Sequence, residues 1–193
     1  MAVPGRPAIG GTRGAVQGSR INMKLISGRT SSGRAPSPWV RYGAGAAAVA
    51  ATAVAGAGAV DADSAWYRSL RKPDWQPPSW AFGVVWTPLY ATIAYAAGHA
   101  LGTVPDRRER TRLATSLAVN LTLNAGWNWL FFRLRNPKAG LVGTLLLDLS
   151  NVQLIRHTAR TDSTAARTLV PYAAWCAFAT GLNASLVRQN PTR

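Results

Sequence analysis

The chain has 193 residues and a net charge of +15, yet only 15% of its residues are charged while 48% are apolar. The basic excess alone would suit a nucleic-acid partner, but the Lys and Arg residues fall in short clusters between apolar runs, the pattern of a membrane protein, and this speaks against nucleic acid. A single cysteine, Cys176, excludes an intrachain disulfide and a Cys-based metal cluster.

Residues 1–38 are rich in Gly, Arg, Ser and Pro, lack hydrophobic periodicity and hold no acidic residue. They read as a disordered basic tail. The same composition suits an organellar transit peptide, or a start assigned upstream of Met23.

Five apolar segments follow, at about 39–60, 81–102, 113–132, 138–157 and 167–187. Each is close to the roughly 20 residues that a helix needs to cross a bilayer. None alternates with period two, so strands fit poorly and backbone pairing within lipid favours helices. The expected fold is an all-α integral membrane protein, a bundle of five transmembrane helices over 39–190. The first segment is mostly Gly and Ala, which permits close helix approach but also fits a signal peptide. Counting positive residues places the N-terminus inside, a bias supplied by the tail. Abundant Ala, Arg and Gly suit a GC-rich bacterial source and hence the bacterial plasma membrane.

Polar groups inside membrane segments are costly and face the bundle interior. The third segment carries Asn120, Asn124 and Asn128 along one helical stripe, beside Trp127 and Phe131. The fifth repeats the arrangement with Tyr172, Trp175, Ala179 and Asn183, and the second offers Phe82, Trp86 and Tyr90. Turned inward, these faces would form an apolar pocket with a few polar anchors, suited to a flat conjugated ligand. The competing reading makes the amides interhelical hydrogen bonds and the indoles interface anchors, which fits Trp39, Trp66, Trp75 and Trp80 best. Asp148 is the one acidic residue inside a predicted segment and reads as a hydrogen-bonded structural carboxyl, with ion coupling as its alternative. His99 and His157 end segments and read as solvated or facing headgroups. Ala114 and Ala118 stand at the small-xxx-small step and would serve a homodimer. No phosphate-binding glycine loop, nucleophile elbow or zinc spacing is present in the sequence.

Four ordered motifs carry a family resemblance. Trp66-Tyr67 with Leu70, Lys72-Pro73, Trp75 and Pro77-Pro78 form the first. Trp86-Thr87 with Leu89-Tyr90 form the second, and Leu123-Asn124 with Trp127 and Phe131-Phe132 the third. Pro171-Tyr172, Ala174-Trp175, Phe178-Ala179-Thr180 and Leu182-Asn183 form the fourth. In order and spacing this set resembles the TspO/MBR family (translocator protein, tryptophan-rich sensory protein). The resemblance implies five membrane helices, often dimeric, around a pocket for tetrapyrroles such as protoporphyrin, with no cofactor required. It implies a tetrapyrrole-binding sensor, regulator or translocator, or alternatively a catalyst of light- and oxygen-dependent porphyrin breakdown. Family pocket positions fall on Tyr67, Trp86, Asn124, Trp127, Leu146, Trp175, Ala179 and Leu182. Val84 and Pro88 depart from the second-helix pattern, and Ala184 stands where a sterol-recognition motif would place an aromatic residue, so sterol binding is poorly supported.

Overall fold

A computed structural model describes residues 1–2 and 37–191. The tail expected at 1–38 lies almost wholly outside the described residues. All regular structure among the described residues is helical: α1 (Pro38–Ala57), α2 (Ala65–Ser69), α3 (Ser79–Thr103), α4 (Arg107–Asn128), α5 (Pro137–Ala159), α6 (Ser163–Thr168) and α7 (Val170–Gln189).

Five of these are long, with 20, 25, 22, 23 and 20 residues. At 1.5 Å per residue each spans about 30 Å or more. The starts follow local chemistry that hydropathy does not register. Asp106 Oδ1 accepts from the backbone N–H groups of Arg108 and Glu109 at 2.6 and 2.9 Å, so α4 begins six residues before the apolar run, in an Arg-rich turn. Asn136 Oδ1 caps α5 through the N–H groups of Lys138 and Ala139, both at 3.0 Å, with Pro137 in the first turn. Asp162 caps α6 in the same way. The segment expected from 167 is thereby divided: α6 ends at Thr168, and α7 starts at Val170 with a proline in its first turn.

Two departures from regular helix lie near the candidate site. Pro88 sits inside α3, which continues through it without a break. At the end of α4, Trp129–Arg133 forms a π-helical turn. Arg135 then takes a left-handed backbone with φ 50° in the turn to α5.

α1 packs on α3 and α4, α4 on α5, and α5 on α7. Small residues set the closest approaches. A Cβ on Gly45 would lie 3.0 Å from the Ala94 carbonyl oxygen, and one on Gly98 would collide with the Tyr42 ring. The core is aliphatic along its length, with Ile93, Leu117, Leu121, Leu147 and Leu154 buried.

Among the described residues no helix is both long and apolar enough to be recognised as a membrane span from hydropathy. The reason lies in composition. α1 draws its apolar character from Gly and Ala, α4 starts with four arginines, and α4, α5 and α7 all carry amides. Several of these amides are spent within the bundle. Tyr90 Oη donates to Asn124 Oδ1 at 3.3 Å, and Asn124 Nδ2 donates to Tyr172 Oη at 3.2 Å. Tyr172 Oη donates to Asn120 Oδ1 at 2.9 Å, and Asn120 Nδ2 donates to Asn151 Oδ1 at 2.7 Å and to Ser150 Oγ at 3.2 Å. One chain of hydrogen bonds thus links α3, α4, α5 and α7. These groups leave water because others in the chain receive them, while Asn151 Nδ2 has no partner among the described residues.

Asp148 is half-buried and accepts a 2.6 Å hydrogen bond from Thr180 Oγ1, which joins α5 to α7. Cys176 is free and buried. The histidines are more engaged than their positions at segment ends suggest. His99 Nδ1 meets Tyr42 Oη at 3.0 Å and its Nε2 lies 3.1 Å from Asp162 Oδ2. His157 Nδ1 meets Ser116 Oγ at 2.9 Å. Folding brings these partners from other helices, beyond the reach of segment-by-segment reading.

Candidate functional site: an aromatic cavity under the Pro-rich connection

The connection between α1 and α3 runs over one end of the bundle. Pro73, Pro77 and Pro78 keep it from continuing as helix. Ser64 Oγ accepts from Tyr67 N–H at 3.3 Å and holds the short α2. Leu70 is buried against Phe131, Leu182 and Leu186, with Trp66 and Tyr67 packed at the edge of that cluster.

Beneath this connection lies a cavity of about 660 Å³. That is within the range of small-molecule sites. Phe82, Trp86 and Tyr90 line it from α3, at the four-residue steps that put them on one face. Trp127, Asn128, Phe131 and Phe132 line it from α4 and its π-helical turn. Leu182, Asn183 and Leu186 come from α7, and Tyr67 and Gln76 from the connection. Phe131 and Phe132 are sequence neighbours, which a regular helix splays apart by about 100°. The π turn spans both, and both reach the cavity wall.

The rings support one another. Trp127 stacks on Phe131 with centroids 5.5 Å apart, and Trp86 stacks on Tyr90 at 5.1 Å. Tyr67 meets Phe132 at 5.3 Å. Gln76 Nε2 donates to Tyr67 Oη at 3.1 Å, and the Lys72 ammonium lies 4.1 Å from the Tyr67 ring centroid. Burial raises the Tyr67 phenol above its ordinary value, only partly offset by the Gln76 bond, so it is neutral at physiological pH. Three buried polar atoms of the wall have no partner among the described residues: Trp127 Nε1, Gln76 Oε1 and Asn183 Oδ1. Among the described residues the wall holds no charged side chain. Such a surface suits an apolar ring system carrying a small number of hydrogen-bonding groups.

Of the eight positions the sequence nominates, Tyr67, Trp86, Trp127 and Leu182 line the cavity. The other four stand elsewhere. Asn124 is buried one layer deeper, in the hydrogen-bond chain through Tyr90 and Tyr172. Trp175 sits behind the wall, against Phe82 at 5.9 Å and Phe178 at 5.1 Å. Ala179 is half-buried and its carbonyl receives Asn183 Nδ2 at 3.2 Å. Leu146 is 47% exposed on α5, away from the wall. Trp66, read as an interface anchor, instead packs edge-on against Phe131 at 5.5 Å, whereas Trp39, Trp75 and Trp80 are exposed. Gln76, Phe132 and Leu186 are wall residues that sequence reasoning did not nominate. Gln76 lies within the Pro-rich motif but at none of its matching positions, and the π turn that presents Phe132 leaves no periodic trace.

A family model described as the TspO/MBR family matches residues 44–188. A tryptophan-rich protein TspO of Chlorobaculum tepidum is 38% identical over 128 residues, 66% of this chain and 81% of that protein. Protein CrtK of Rhodobacter capsulatus is 34% identical, covering 68% of this chain and 82% of its own. The translocator protein of Homo sapiens is 34% identical, covering 65% of this chain and 75% of its own. The match takes in the connection and all the cavity-lining helices, so the chain belongs to the TspO/MBR family, whose proteins are membrane proteins.

Proposed function

We propose that this chain binds a tetrapyrrole of the protoporphyrin type in the cavity beneath the Pro-rich connection and acts as a membrane sensor or regulator. The observation that carries the reading is the wall itself: two indoles, two phenols and three phenyl rings around about 660 Å³, with no charged side chain among the described residues. A flat conjugated macrocycle gains from stacking on such rings. Its acidic substituents would turn toward Lys72, which lies over the ring of the wall residue Tyr67. The relatives' names, tryptophan-rich sensory protein and translocator protein, agree with a signalling or carrier role. Placement in a bacterial plasma membrane and assembly as a homodimer belong to the same proposal; Ala114 and Ala118 lie exposed on α4, available to a second copy.

The test is titration of protoporphyrin into detergent-purified protein, followed by tryptophan fluorescence. Saturable quenching that weakens in a Trp127→Ala variant supports the cavity. Linear quenching, equal in wild type and variant, would mean that the pigment partitions into detergent and would sink the reading.

A second reading, light- and oxygen-dependent porphyrin breakdown, draws on Trp86 and Trp127 standing in the wall, where a bound macrocycle would meet oxidisable indoles. Illumination separates the two. Bleaching faster than that of free pigment, with a new bilin-like absorbance, favours chemistry; bleaching at the free-pigment rate leaves binding alone.

A further inference from the structure

At the opposite end of the bundle, the first turns of α4 and the last turns of α5 enclose a crevice of about 280 Å³ lined by Glu109, Arg112, Leu113, His157, Arg160 and Thr161. Nothing in the aromatic cavity involves these residues. We propose that this crevice is a binding site for a phosphate group, supplied either by an anionic lipid headgroup or by free phosphate.

The donor set is the first argument. Two guanidiniums and an imidazole border a space with a buried leucine at its floor, while the Thr161 hydroxyl is already donated to the Thr158 carbonyl at 3.0 Å. Guanidiniums match phosphate oxygens in geometry as well as in charge. The imidazole is oriented, because Ser116 Oγ holds His157 Nδ1 at 2.9 Å and leaves Nε2 without a protein partner among the described residues. The Arg160 side chain likewise makes no hydrogen bond or ion pair with a described residue, although three carboxylates lie at this end of the bundle.

Those carboxylates are the second argument. Asp106 is committed to the cap of α4. Asp162 is committed to the cap of α6 through Oδ1 and to His99 through Oδ2. Only Glu109 faces the crevice, paired with Arg112 at 3.2 Å. That is an exposed pair, with side chains 70% and 49% accessible, and such pairs hold weakly. A phosphate would therefore compete with one loosely held carboxylate for Arg112 and meet none for Arg160. The crevice lies at the ends of long helices in a family of membrane proteins, the depth at which headgroup phosphates are found.

The test uses the full-length chain in neutral detergent. Native mass spectrometry would measure retention of phosphatidylglycerol against phosphatidylcholine, with and without inorganic phosphate as competitor. The expected result is selective retention that falls about tenfold in Arg160→Gln and is unaffected in Arg107→Gln, which lies on the same helix end outside the crevice. Glu109→Gln should strengthen retention. Displacement by millimolar phosphate assigns the crevice to free phosphate, and lipid that resists displacement assigns it to a headgroup. Equal losses in Arg107→Gln and Arg160→Gln would reveal diffuse surface charge and overturn the site. So would a wild type that retains neither probe selectively. Unchanged helical circular dichroism in Arg160→Gln confirms that a loss reflects the crevice.

Discussion

Asn190, the residue after α7, grips the backbone of Arg71 on both sides. Its Oδ1 accepts from Arg71 N–H at 3.0 Å and its Nδ2 donates to the Arg71 carbonyl at 2.9 Å. A single side chain thus ties the Pro-rich connection to the helix that supplies Leu182, Asn183 and Leu186 to the cavity. Asn190→Ala leaves Arg71 N–H and C=O without these partners. It should loosen the cover over the cavity, so that bound porphyrin dissociates several-fold faster with little change in helix content. Stopped-flow displacement beside circular dichroism checks this.

Trp127 contributes both a face and an unpartnered N–H to the wall. Trp127→Phe retains most of the stacking surface, and Trp127→Ala retains none. Porphyrin affinity should fall in that order, by about tenfold or more for alanine. Equal losses in the two variants would assign the effect to the N–H alone.

Three glycines make a graded set. A Cβ on Gly140 would lie 2.8 Å from Phe131 Cδ2 and 2.9 Å from Asn183 Oδ1, two groups already fixed in the wall. Gly140→Ala should destabilise by about 1–3 kcal/mol and disturb the cavity. On Gly143 the nearest atom is the end of the Leu130 side chain at 2.9 Å, which can turn away, so Gly143→Ala should cost less. Gly126 has nothing within 4 Å, and Gly126→Ala should be neutral or stabilising by up to about 1 kcal/mol. Thermal unfolding in one detergent ranks the three.

Asn120 is fully buried and joins Tyr172 to Asn151 and Ser150. Asn120→Ala strands these groups in a dry interior. The expected cost is about 1–2 kcal/mol, since interhelical hydrogen bonds in membrane bundles are individually modest. Tyr172→Phe in the Asn120→Ala background should then cost less than Tyr172→Phe alone, as a double-mutant cycle would show.

The raised phenol of Tyr67 has a pH consequence. A folded-state value above the ordinary 10.0 means that the neutral side chain favours the folded connection. This contribution is complete below pH 10 and is lost as pH rises through the higher folded value. Porphyrin affinity should therefore be flat from pH 6 to 9 as far as Tyr67 is concerned, and a fall above about pH 10 should disappear in Tyr67→Phe.

The sequence by itself determined that this is an all-α chain with five long helices, because periodicity and run length are local properties that lipid and backbone pairing convert into helix. It also marked the aromatic faces: Phe82, Trp86 and Tyr90 recur every four residues and share a wall. It could not divide the amides of the stripe on α4, where Asn128 lines the cavity while Asn120 and Asn124 bond to other helices. That division depends on which helix stands opposite each turn, a relation between distant segments. The same holds for Leu146, which shares an apolar character with Leu147 yet is exposed while its neighbour is buried. Only the tertiary structure decided the π turn that presents Phe132, the grip of Asn190 on Arg71 and the pairing of His157 with Ser116, because each depends on partners or backbone geometry that folding alone supplies.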